Sequence, residues 1–473
     1  MTTARDSAQV RWTIATLALP MLMASLDTSI ANTALPTLAT TFAASFAAVQ
    51  WIVLAYLLAI TTVIVSVGRL GDLLGRRRML MVGIWAFTVA SLACGLAPTL
   101  SVLIAARAVQ GLGAATMMAL ALAAIGESIP TARTGRVMGL LGAMSAVGTA
   151  LGPSLGGLCL AGPGWRTIFL LNVPIGLVNL ILVHRHLPAD QVRPDAAPPG
   201  LDLPGTLALA GTLAAYALAM TVPGAPLGRT SVLLLLAALA GLMVFVRVEM
   251  RAASPLVRLT LLREHGLSTS LVLGTMVSAV IMSTLVVGPF YLSRALQLRP
   301  ALVGLLLSVG PVVAALSGLP AGRLVDRFGT TPTTRAGLVG IAFGSLALCL
   351  VPMRWGALGY VLPIAVLTAH YALFQTANNS AALGGIDTAH RGVVAGLLNL
   401  ARNLGLITGT SVLGAVFALG SHSTSMPLAS PEAIATGMRA TFATATALIL
   451  FALSLSLAGL TDRRRAPVPE PAG

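Results

Sequence analysis

The stretch GRLGDLLG at Gly68–Gly75 recurs as GRLVDRFG at Gly322–Gly329, with Gly, Arg, Leu, Asp and Gly in register. Residues 133–152 and 390–409 form a second pair, which shares the pattern G-x-V-x-G-L-L and two later glycines. The offsets within the two pairs are 254 and 257 residues. Two independent matches at nearly one spacing predict an internal duplication, so we expect two related halves.

The composition around these repeats excludes a soluble fold. The 473 residues are 56% hydrophobic and 9% charged, whereas a soluble domain carries roughly 25% charged residues. Stretches of about 20 apolar residues are long enough to cross a bilayer as helices. The chain has fourteen such stretches: roughly 12–34, 49–69, 79–97, 100–126, 137–160, 166–184, 203–221, 230–247, 266–290, 302–322, 335–351, 357–379, 392–419 and 437–459. The sequence therefore predicts an all-α integral membrane protein with fourteen transmembrane helices.

The repeated segments relate helices 1–6 to helices 9–14, because each segment stands at an equivalent place in its half. Helices 7 and 8 have no counterpart and are interpreted as an insertion. The predicted units are an N-terminal six-helix bundle at 1–185, a linker with helices 7 and 8 at 186–262, and a C-terminal bundle with its tail at 263–473. Two parallel six-helix repeats are typical of transporters with a substrate site between the halves.

The charge pattern indicates the orientation of the chain. All 29 basic residues are arginine, and the absence of lysine excludes a Walker A loop and a Schiff-base lysine. If the N-terminus is cytoplasmic, about 21 arginines lie on the cytoplasmic side and about 6 outside, as the positive-inside rule requires. We therefore expect both termini in the cytoplasm and no nucleic-acid partner. The three cysteines stand apart within apolar spans, so neither a disulfide nor a metal site is expected.

Asp27 is the only ionisable residue between Trp12 and Ala34. A charge at the bilayer centre costs at least about 2.5–3.5 kcal/mol on insertion scales, and a carboxyl avoids much of this cost by binding a proton. Arg107 in helix 4 is expected at a similar depth, so the two side chains could pair. Asp27 is therefore a candidate proton carrier with Arg107 as its partner. A static buried ion pair, or an arginine satisfied by helix carbonyls, is the alternative.

Seven motifs, in this order along the chain, resemble those of the fourteen-helix drug:proton antiporters of the major facilitator superfamily. They are LDTSIANTALP (26–36), VQWIVLAYLLA (49–59), GRLGDLLGRRRML (68–80), LIAARAVQGLGAA (103–115), GTALGPSLGG (148–157), WRTIFLLNVPIG (165–176) and NLARNLG (399–405). The resemblance covers nearly the whole chain and implies the major facilitator fold. It also implies a monomeric multi-pass protein of the bacterial inner membrane that exports drugs, antibiotics or other amphiphilic small molecules in exchange for protons. No cofactor besides the proton gradient, no metal and no enzymatic activity are expected.

The loop after helix 2 resembles the latch that holds the two halves of these transporters together. Asp72 is expected to cap the next helix or to pair with arginines such as Arg76 and Arg77. Asp326 repeats the acid in the second half without the full arginine run, which predicts a weaker latch there. Positive-inside arginines without a latch function are the alternative.

Helix 5 resembles the gating helix of the exporters. Gly148, Gly152 and Gly156 are spaced four residues apart, which lets a facing helix approach closely. Pro153 removes one helix hydrogen bond and is expected to bend the helix. Ordinary small-residue packing is the alternative. The same stretch matches the hydrolase pattern G-x-S-x-G, but that motif needs a preceding strand, and here the serine lies in an apolar helix.

Polar residues within apolar spans are candidates for lining a central cavity, because lipid would penalise them. The candidates are Asn32, Gln50, Trp51, Tyr56, His370, Gln375, Asn399 and Arg402. His370 could titrate, although a lone histidine is more often neutral and hydrogen-bonded. Arg402 could instead be a packing arginine that lies along helix carbonyls.

Other functions stay open from the residues alone. A transporter of this kind could export a lipid or an endogenous metabolite, or could import its substrate with protons, although the Gly-Pro stretch of helix 5 counts against import. A membrane enzyme would need a paired catalytic set at one membrane face, and the sequence offers none. A receptor without transport would not dissipate a pH gradient when substrate is added.

Overall fold

The computed structural model describes residues 2–128, 131–187, 190, 202–221, 228–252, 265–384, 391–421 and 429–465. These residues are nearly all helical, and no strand occurs among them. Fourteen helices within this part of the chain are long and apolar enough to cross a membrane, which confirms the predicted all-α membrane architecture. They are α1 (Thr2–Thr41), α2 (Phe46–Leu74), α3 (Arg76–Leu96), α4 (Leu100–Ser128), α5 (Thr131–Ala161), α6 (Arg166–Leu170 and Asn172–His186), α7 (Leu203–Thr221), α8 (Arg229–Arg251), α9 (His265–Phe290), α10 (Pro300–Phe328), α11 (Thr330–Leu350), α12 (Gly356–Leu383), α13 (Arg391–Thr408 and Gly414–Gly420) and α14 (Pro431–Arg465).

Several helix ends differ from the predicted ends. Helix α1 continues through Pro36 to Thr41. Helix α6 is interrupted at Leu171, because Pro174 has no N–H for the carbonyl of Leu170 and its ring crowds that carbonyl. Single π turns extend α9 over Tyr291–Ala295 and interrupt α13 at Gly409–Leu413. These local irregularities change the hydrogen-bond register of the helices without changing their number.

The two bundles each contain a closely packed helix pair that depends on paired glycines. A Cβ added at Gly148 of α5 would lie 2.5 Å from the carbonyl oxygen of Leu22 on α1, and α13 repeats this arrangement with Gly405, 2.3 Å from the carbonyl oxygen of Thr275 on α9. Small residues at such positions let two backbones approach, which is how membrane helices gain packing energy. The α1–α5 and α9–α13 pairs are therefore equivalent, as the sequence repeat predicts.

The hydrogen bonds and ring contacts described between the two bundles lie toward one membrane face. We call this the far face, at which α1 ends, and the face at which α1 begins the near face. Phe46, Phe290 and Phe417 form an aromatic cluster there, with ring centroids 5.0–6.2 Å apart. Further hydrogen bonds between the bundles join Gln50 to Thr410, Ser154 to Ser308, and Arg294 to Thr40. These contacts close the space between the bundles at the far face.

The inserted helix α7 contacts both bundles. It lies along α2 and also reaches α13. The three side-chain hydrogen bonds are Ser66–Thr206 at 2.8 Å and Trp51–Thr221 at 3.0 Å to α2, and Tyr216–Thr408 at 3.2 Å to α13. Helix α8 packs against α7 and exposes leucines along its length, such as Leu233, Leu236 and Leu239. The insertion therefore covers the α2–α13 side of the molecule, with α8 outermost.

Candidate functional site

Asp27 and Arg107 form an ion pair inside the N-terminal bundle, where both residues are 0% exposed. Asp27 comes from α1, and its Oδ2 accepts a hydrogen bond from Nη1 of Arg107 on α4. Neither residue is accessible to solvent in this conformation. Removing two charges from water is costly, and such a pair is stable only when the remaining polar atoms are also hydrogen-bonded.

Two amide side chains complete the surroundings of the carboxylate. Gln110 of α4 and Asn172 of α6 each donate a hydrogen bond of 2.8 Å to Oδ1 of Asp27. Gln110 also donates to Oγ of Ser91 at 2.8 Å and accepts from Nη1 of Arg107 at 2.6 Å. Three donors thus hold the ionised form of Asp27. We call Asp27, Arg107, Gln110, Asn172 and Ser91 the buried polar network.

Arg107 is held by groups other than the carboxylate as well. Its Nε donates to the carbonyl oxygen of Ile52 at 3.1 Å. Its guanidinium carbon lies 4.1 Å from the centre of the Tyr56 ring and 5.8 Å from that of Phe169. Aromatic faces attract a cation most strongly when water is excluded. The guanidinium is therefore held in position by groups other than Asp27 as well.

Asn172 has an unused hydrogen-bond acceptor. Its Oδ1 is buried and is without a hydrogen-bond partner among the described residues. An amide can donate or accept depending on its rotation, whereas a guanidinium can only donate. Gln110 and Asn172 can therefore serve an ionised Asp27 as donors and a protonated Asp27 as acceptors. The network contains partners for both forms of the acid.

The sequence places this network through local helix geometry. Arg107 and Gln110 are three residues apart and so share one face of α4. Asn172 is the first residue after the Pro174-induced interruption of α6. Gly111 lets α4 approach α2, since a Cβ there would lie 2.5 Å from the carbonyl oxygen of Tyr56. Sequence reasoning identified Asp27 and Arg107 but missed Gln110, Asn172 and Ser91. The available signal was a glutamine one turn from Arg107 and an asparagine beside a helix-interrupting proline.

Arg402 is an exposed residue of α13. Gly405 faces Thr275 of α9, and Thr410 accepts from Gln50 of α2. Thr408 contacts α7 on the opposite side. Helical spacing puts Arg402 between the α9-facing and α2-facing sides of α13, where it is exposed, as is Asn399 one turn earlier. Arg402 and Asn399 therefore share an exposed side of α13.

Other candidate cavity residues lie elsewhere. Gln50 is buried in the contact between α2 and α13. Trp51 donates a hydrogen bond to Thr221 of α7. The ring of Tyr56 packs against Arg107, and its hydroxyl donates a hydrogen bond to the carbonyl oxygen of Ala24. Asn32 is buried and donates to the carbonyl of Thr28, one turn back on α1. Each of these side chains contributes to packing between or within bundles.

The polar residues of α12 divide into two groups. The ring of His370 packs on α11, since a Cβ at Gly340 would lie 2.0 Å from it, and its Nδ1 contacts the carbonyl of Val366. His370 therefore faces a neighbouring helix of its own bundle. Gln375 is half-buried and donates to Asn379 at 3.3 Å. Of these candidates, only Gln375 keeps a partly open side chain without a fixed partner on another helix.

Helix α5 belongs to the N-terminal bundle and lies where this bundle contacts the C-terminal bundle. Gly148, Gly152 and Gly156 all face α1, while Pro153 is on the side facing α10, where a Cβ at Gly304 would lie 2.2 Å from its carbonyl oxygen. Ser154 and Ser308 share a hydrogen bond of 2.6 Å on the same side. The helix is continuous from Thr131 to Ala161 despite Pro153. Helix α5 thus contacts α1 on one face and the other bundle on the opposite face.

The loop between α2 and α3 is fixed by groups of the N-terminal bundle. Gly75 takes a φ of +96°, and Asp190 then accepts hydrogen bonds from the backbone N–H groups of Arg77 and Arg78 at 2.8 and 3.0 Å. Arg76 donates to the carbonyl of Ala123 at 2.9 Å. Asp190, which follows α6, was not predicted. The side chain of Asp72 lies outside the described residues, and Asp326 is exposed.

Two related helix bundles with an ion pair and amide side chains inside the membrane are typical of membrane transporters. The family model "Major Facilitator Superfamily" matches residues 17–410, and the chain therefore belongs to this superfamily.

Known relatives are transport proteins. The chain is 31% identical over 419 residues to the Multidrug resistance protein Stp of Mycobacterium tuberculosis, covering 88% of this chain and 77% of Stp. It is 28% identical over 398 residues to the Riboflavin transporter RibZ of Clostridioides difficile, covering 84% of this chain and 86% of RibZ. Among solved structures, an inward-facing, unoccupied bacterial homologue of the human lysosomal transporter Spinster has a TM-score of 0.69 at 15% identity, over 98% of this chain and 99% of that one. This last likeness concerns the fold alone.

Proposed function

We propose that the protein is a proton-coupled antiporter that exports amphiphilic small molecules, drugs and antibiotics among them, across the bacterial inner membrane. The observation that carries the proposal is the buried polar network. A single acid lies at membrane depth with one cation and two amides that can donate or accept. Such surroundings suit an acid that alternates between a protonated and an ionised form.

The proposed orientation places the near face in the cytoplasm, with both termini on that side, because the arginines of the connecting segments concentrate there. The far face is then the outside. The aromatic cluster of Phe46, Phe290 and Phe417 closes the outside, so this conformation corresponds to an inward-facing state. The contact between Asp27 and Arg107 agrees with a state that follows proton release.

In the proposed cycle, a proton from outside reaches Asp27 in the outward-open state. Protonation weakens the attraction to Arg107, and Gln110 or Asn172 rotates to accept the new O–H group. The bundles then rock about the α1–α5 and α9–α13 pairs, with α5 as the gating helix. The latch loop around Asp72, Arg76 and Arg77, and more weakly Asp326, would close the cytoplasmic side in the outward-open state.

The substrate would bind between the bundles on the C-terminal side. We place Arg402, Asn399 and Gln375 at this site because the first two are exposed on α13 and the third is partly exposed on α12. The only charge in this group is positive, which fits neutral or anionic amphiphiles as well as typical drugs. Stp is named for multidrug resistance, which supports drug export by this chain. RibZ is named a riboflavin transporter, which supports an endogenous planar metabolite as the second candidate substrate.

The proposal is tested in everted membrane vesicles that carry a pH-sensitive dye. Compounds from a panel of drugs and flavins are added to wild type, to Asp27→Asn and to Glu432→Gln. Glu432 is an exposed acid at the start of α14, so its variant makes the same chemical change away from the network. We expect wild type and Glu432→Gln to dissipate the pH gradient when substrate is added, and Asp27→Asn to lose this response.

A second measurement separates coupling from folding. Exchange of labelled substrate without a gradient should persist in Asp27→Asn, because substrate residues on the other bundle are unchanged. If Asp27→Asn dissipates the gradient at the wild-type rate, Asp27 is not the proton carrier. If substrate moves with protons instead of against them, the protein is an importer.

A further inference from the structure

The inserted helices line a cavity that is open to the surface of the protein and that the proposed transport cycle does not use. It has a volume of about 330 Å³ and lies where α7 begins and α8 ends, at the near face. Its lining consists of Asp202, Val244, Arg247, Val248, Arg251 and Ala252. The cavity combines two cations, one acid and an apolar wall. We propose that it binds a phospholipid whose headgroup carries a phosphate and a primary amine.

The two arginines supply the phosphate side of the site. Arg247 and Arg251 are one turn apart on one face of α8, and both are exposed. Arg251 is the last residue of α8, so Arg247 lies about 6 Å from the helix end. That depth is the level of lipid headgroups when a helix spans the hydrocarbon core. Two guanidinium groups in one cavity match the oxygen atoms of a phosphodiester.

Asp202 supplies the amine side. It is 8% exposed, and its Oδ1 caps α7 by accepting from the N–H of Gly205 at 2.8 Å. Its Oδ2 is buried without a hydrogen-bond partner among the described residues. A buried carboxylate oxygen without a partner is costly, and a primary ammonium has three N–H donors to offer it. Glu249 is buried and does not line the cavity.

The acyl chains have a surface that continues from the cavity. Leu236, Leu239 and Met243 form an exposed stripe along α8 that leads to Arg247. A phospholipid bound in this way would lie with its headgroup in the cavity and its chains on the stripe. The positive-inside rule alone would explain two arginines at the end of α8. It would not explain the cavity between them or the acid without a hydrogen-bond partner.

The test uses the full-length protein in detergent, with binding of defined lipids measured by native mass spectrometry and by thermal unfolding. Phosphatidylethanolamine, phosphatidylcholine and phosphatidylglycerol with identical acyl chains are compared. We expect wild type to prefer phosphatidylethanolamine, since a trimethylated amine has no N–H for Asp202 and a glycerol headgroup has no positive charge.

Three variants locate the site. Asp202→Asn keeps a capping side chain and should remove the preference for phosphatidylethanolamine over phosphatidylcholine. The double variant of Arg247→Gln and Arg251→Gln should bind every phospholipid about ten- to a hundredfold more weakly, the range for losing a charge-assisted hydrogen bond. Arg229→Gln, at the opposite end of α8, is the matched control and should bind like wild type.

Two outcomes would overturn the proposal. Equal binding of the three lipids by wild type, or equal binding by the double variant and Arg229→Gln, would show that the cavity selects no headgroup. A second part of the test measures how well free phosphoethanolamine competes with phosphatidylethanolamine for binding. It should compete poorly because it lacks acyl chains, and competition as strong as that of the intact lipid would assign the cavity to a soluble phosphorylated amine.

Discussion

The two bundles share a fold but differ in the charges of their interior. The α1–α5 and α9–α13 pairs use equivalent glycines, and Gly75 and Gly329 take positive φ angles of +96° and +82° at equivalent turns. When the two helix pairs are aligned on these glycines, Asp27 of α1 corresponds to Val280 of α9. Both residues are 0% exposed. Helices α9 and α12 contain no acidic or basic residue other than histidine.

This difference indicates a division of labour. The packing is duplicated, since both halves contain a helix pair that approaches closely at glycines. A buried charge is expensive, and at the aligned positions only the N-terminal bundle has one. In the C-terminal bundle, the polar residues Arg402 and Asn399 are exposed on α13 instead. We therefore expect variants of the buried polar network and variants of the shared helix packing to differ in how much unfolding free energy they lose.

The largest effect is expected from Arg107→Ala. It leaves the carboxylate of Asp27 buried without its cation, which costs about 3–5 kcal/mol of unfolding free energy. Denaturant-induced unfolding in detergent micelles measures the loss. Adding Asp27→Asn should restore part of it, because the remaining group is then neutral. Val280→Ala at the equivalent position should cost less, and an equal or greater cost would contradict the contrast between the bundles.

A smaller effect, similar in both bundles, is expected at the paired glycines. Gly152→Ala and Gly409→Ala place a methyl group 2.5 Å from Cβ of Ser29 and 2.3 Å from the carbonyl oxygen of Ala279. Each should reduce stability by about 1–3 kcal/mol, as overpacking does. The same unfolding measurement applies. If one of the two substitutions reduces the stability and the other leaves it unchanged, the two helix pairs are not equivalent.

The smallest effect is expected from Asp190→Ala. This removes the two hydrogen bonds that Asp190 accepts at the start of α3, which is comparable to losing a helix cap and costs about 1 kcal/mol. Asp190→Asn keeps an acceptor and should retain most of the stability. Thermal unfolding of the two variants beside wild type distinguishes them. Helix α11 also begins after a glycine with a positive φ angle, Gly329.

Much of the fold could be predicted because it depends on hydropathy. The fourteen spans, the duplication and the pairing candidates Asp27 and Arg107 all follow from apolar length and from charges that interrupt it. These features are encoded locally, one helix at a time. The helix ends were less predictable, since Pro36 is accommodated within α1 whereas Pro174 interrupts α6.

The surroundings of the site could not be predicted, because they depend on how each helix is rotated. Asn172 and Asn378 look alike in the sequence, yet Asn172 binds Asp27 and Asn378 donates to the carbonyl of Ser270. His370 packs on α11 only because Gly340 leaves room for the ring. Asp190 lies in a connecting segment without any periodic pattern. Contacts of this kind are decided by neighbours distant in the sequence.

The position of the inserted helix α7 affects how apolar compounds could reach the region between the bundles. Among the described residues, side-chain hydrogen bonds join α7 to α2 near both of its ends, through Thr206 and Thr221, and to α13 through Tyr216 alone. If the bundles separate as proposed, we therefore expect α7 to stay with α2 and to shield the crevice on that flank from the bilayer. The opposite crevice, between α5 and α10, has no such shield among the described residues. A molecule dissolved in the membrane would accordingly enter from one flank only.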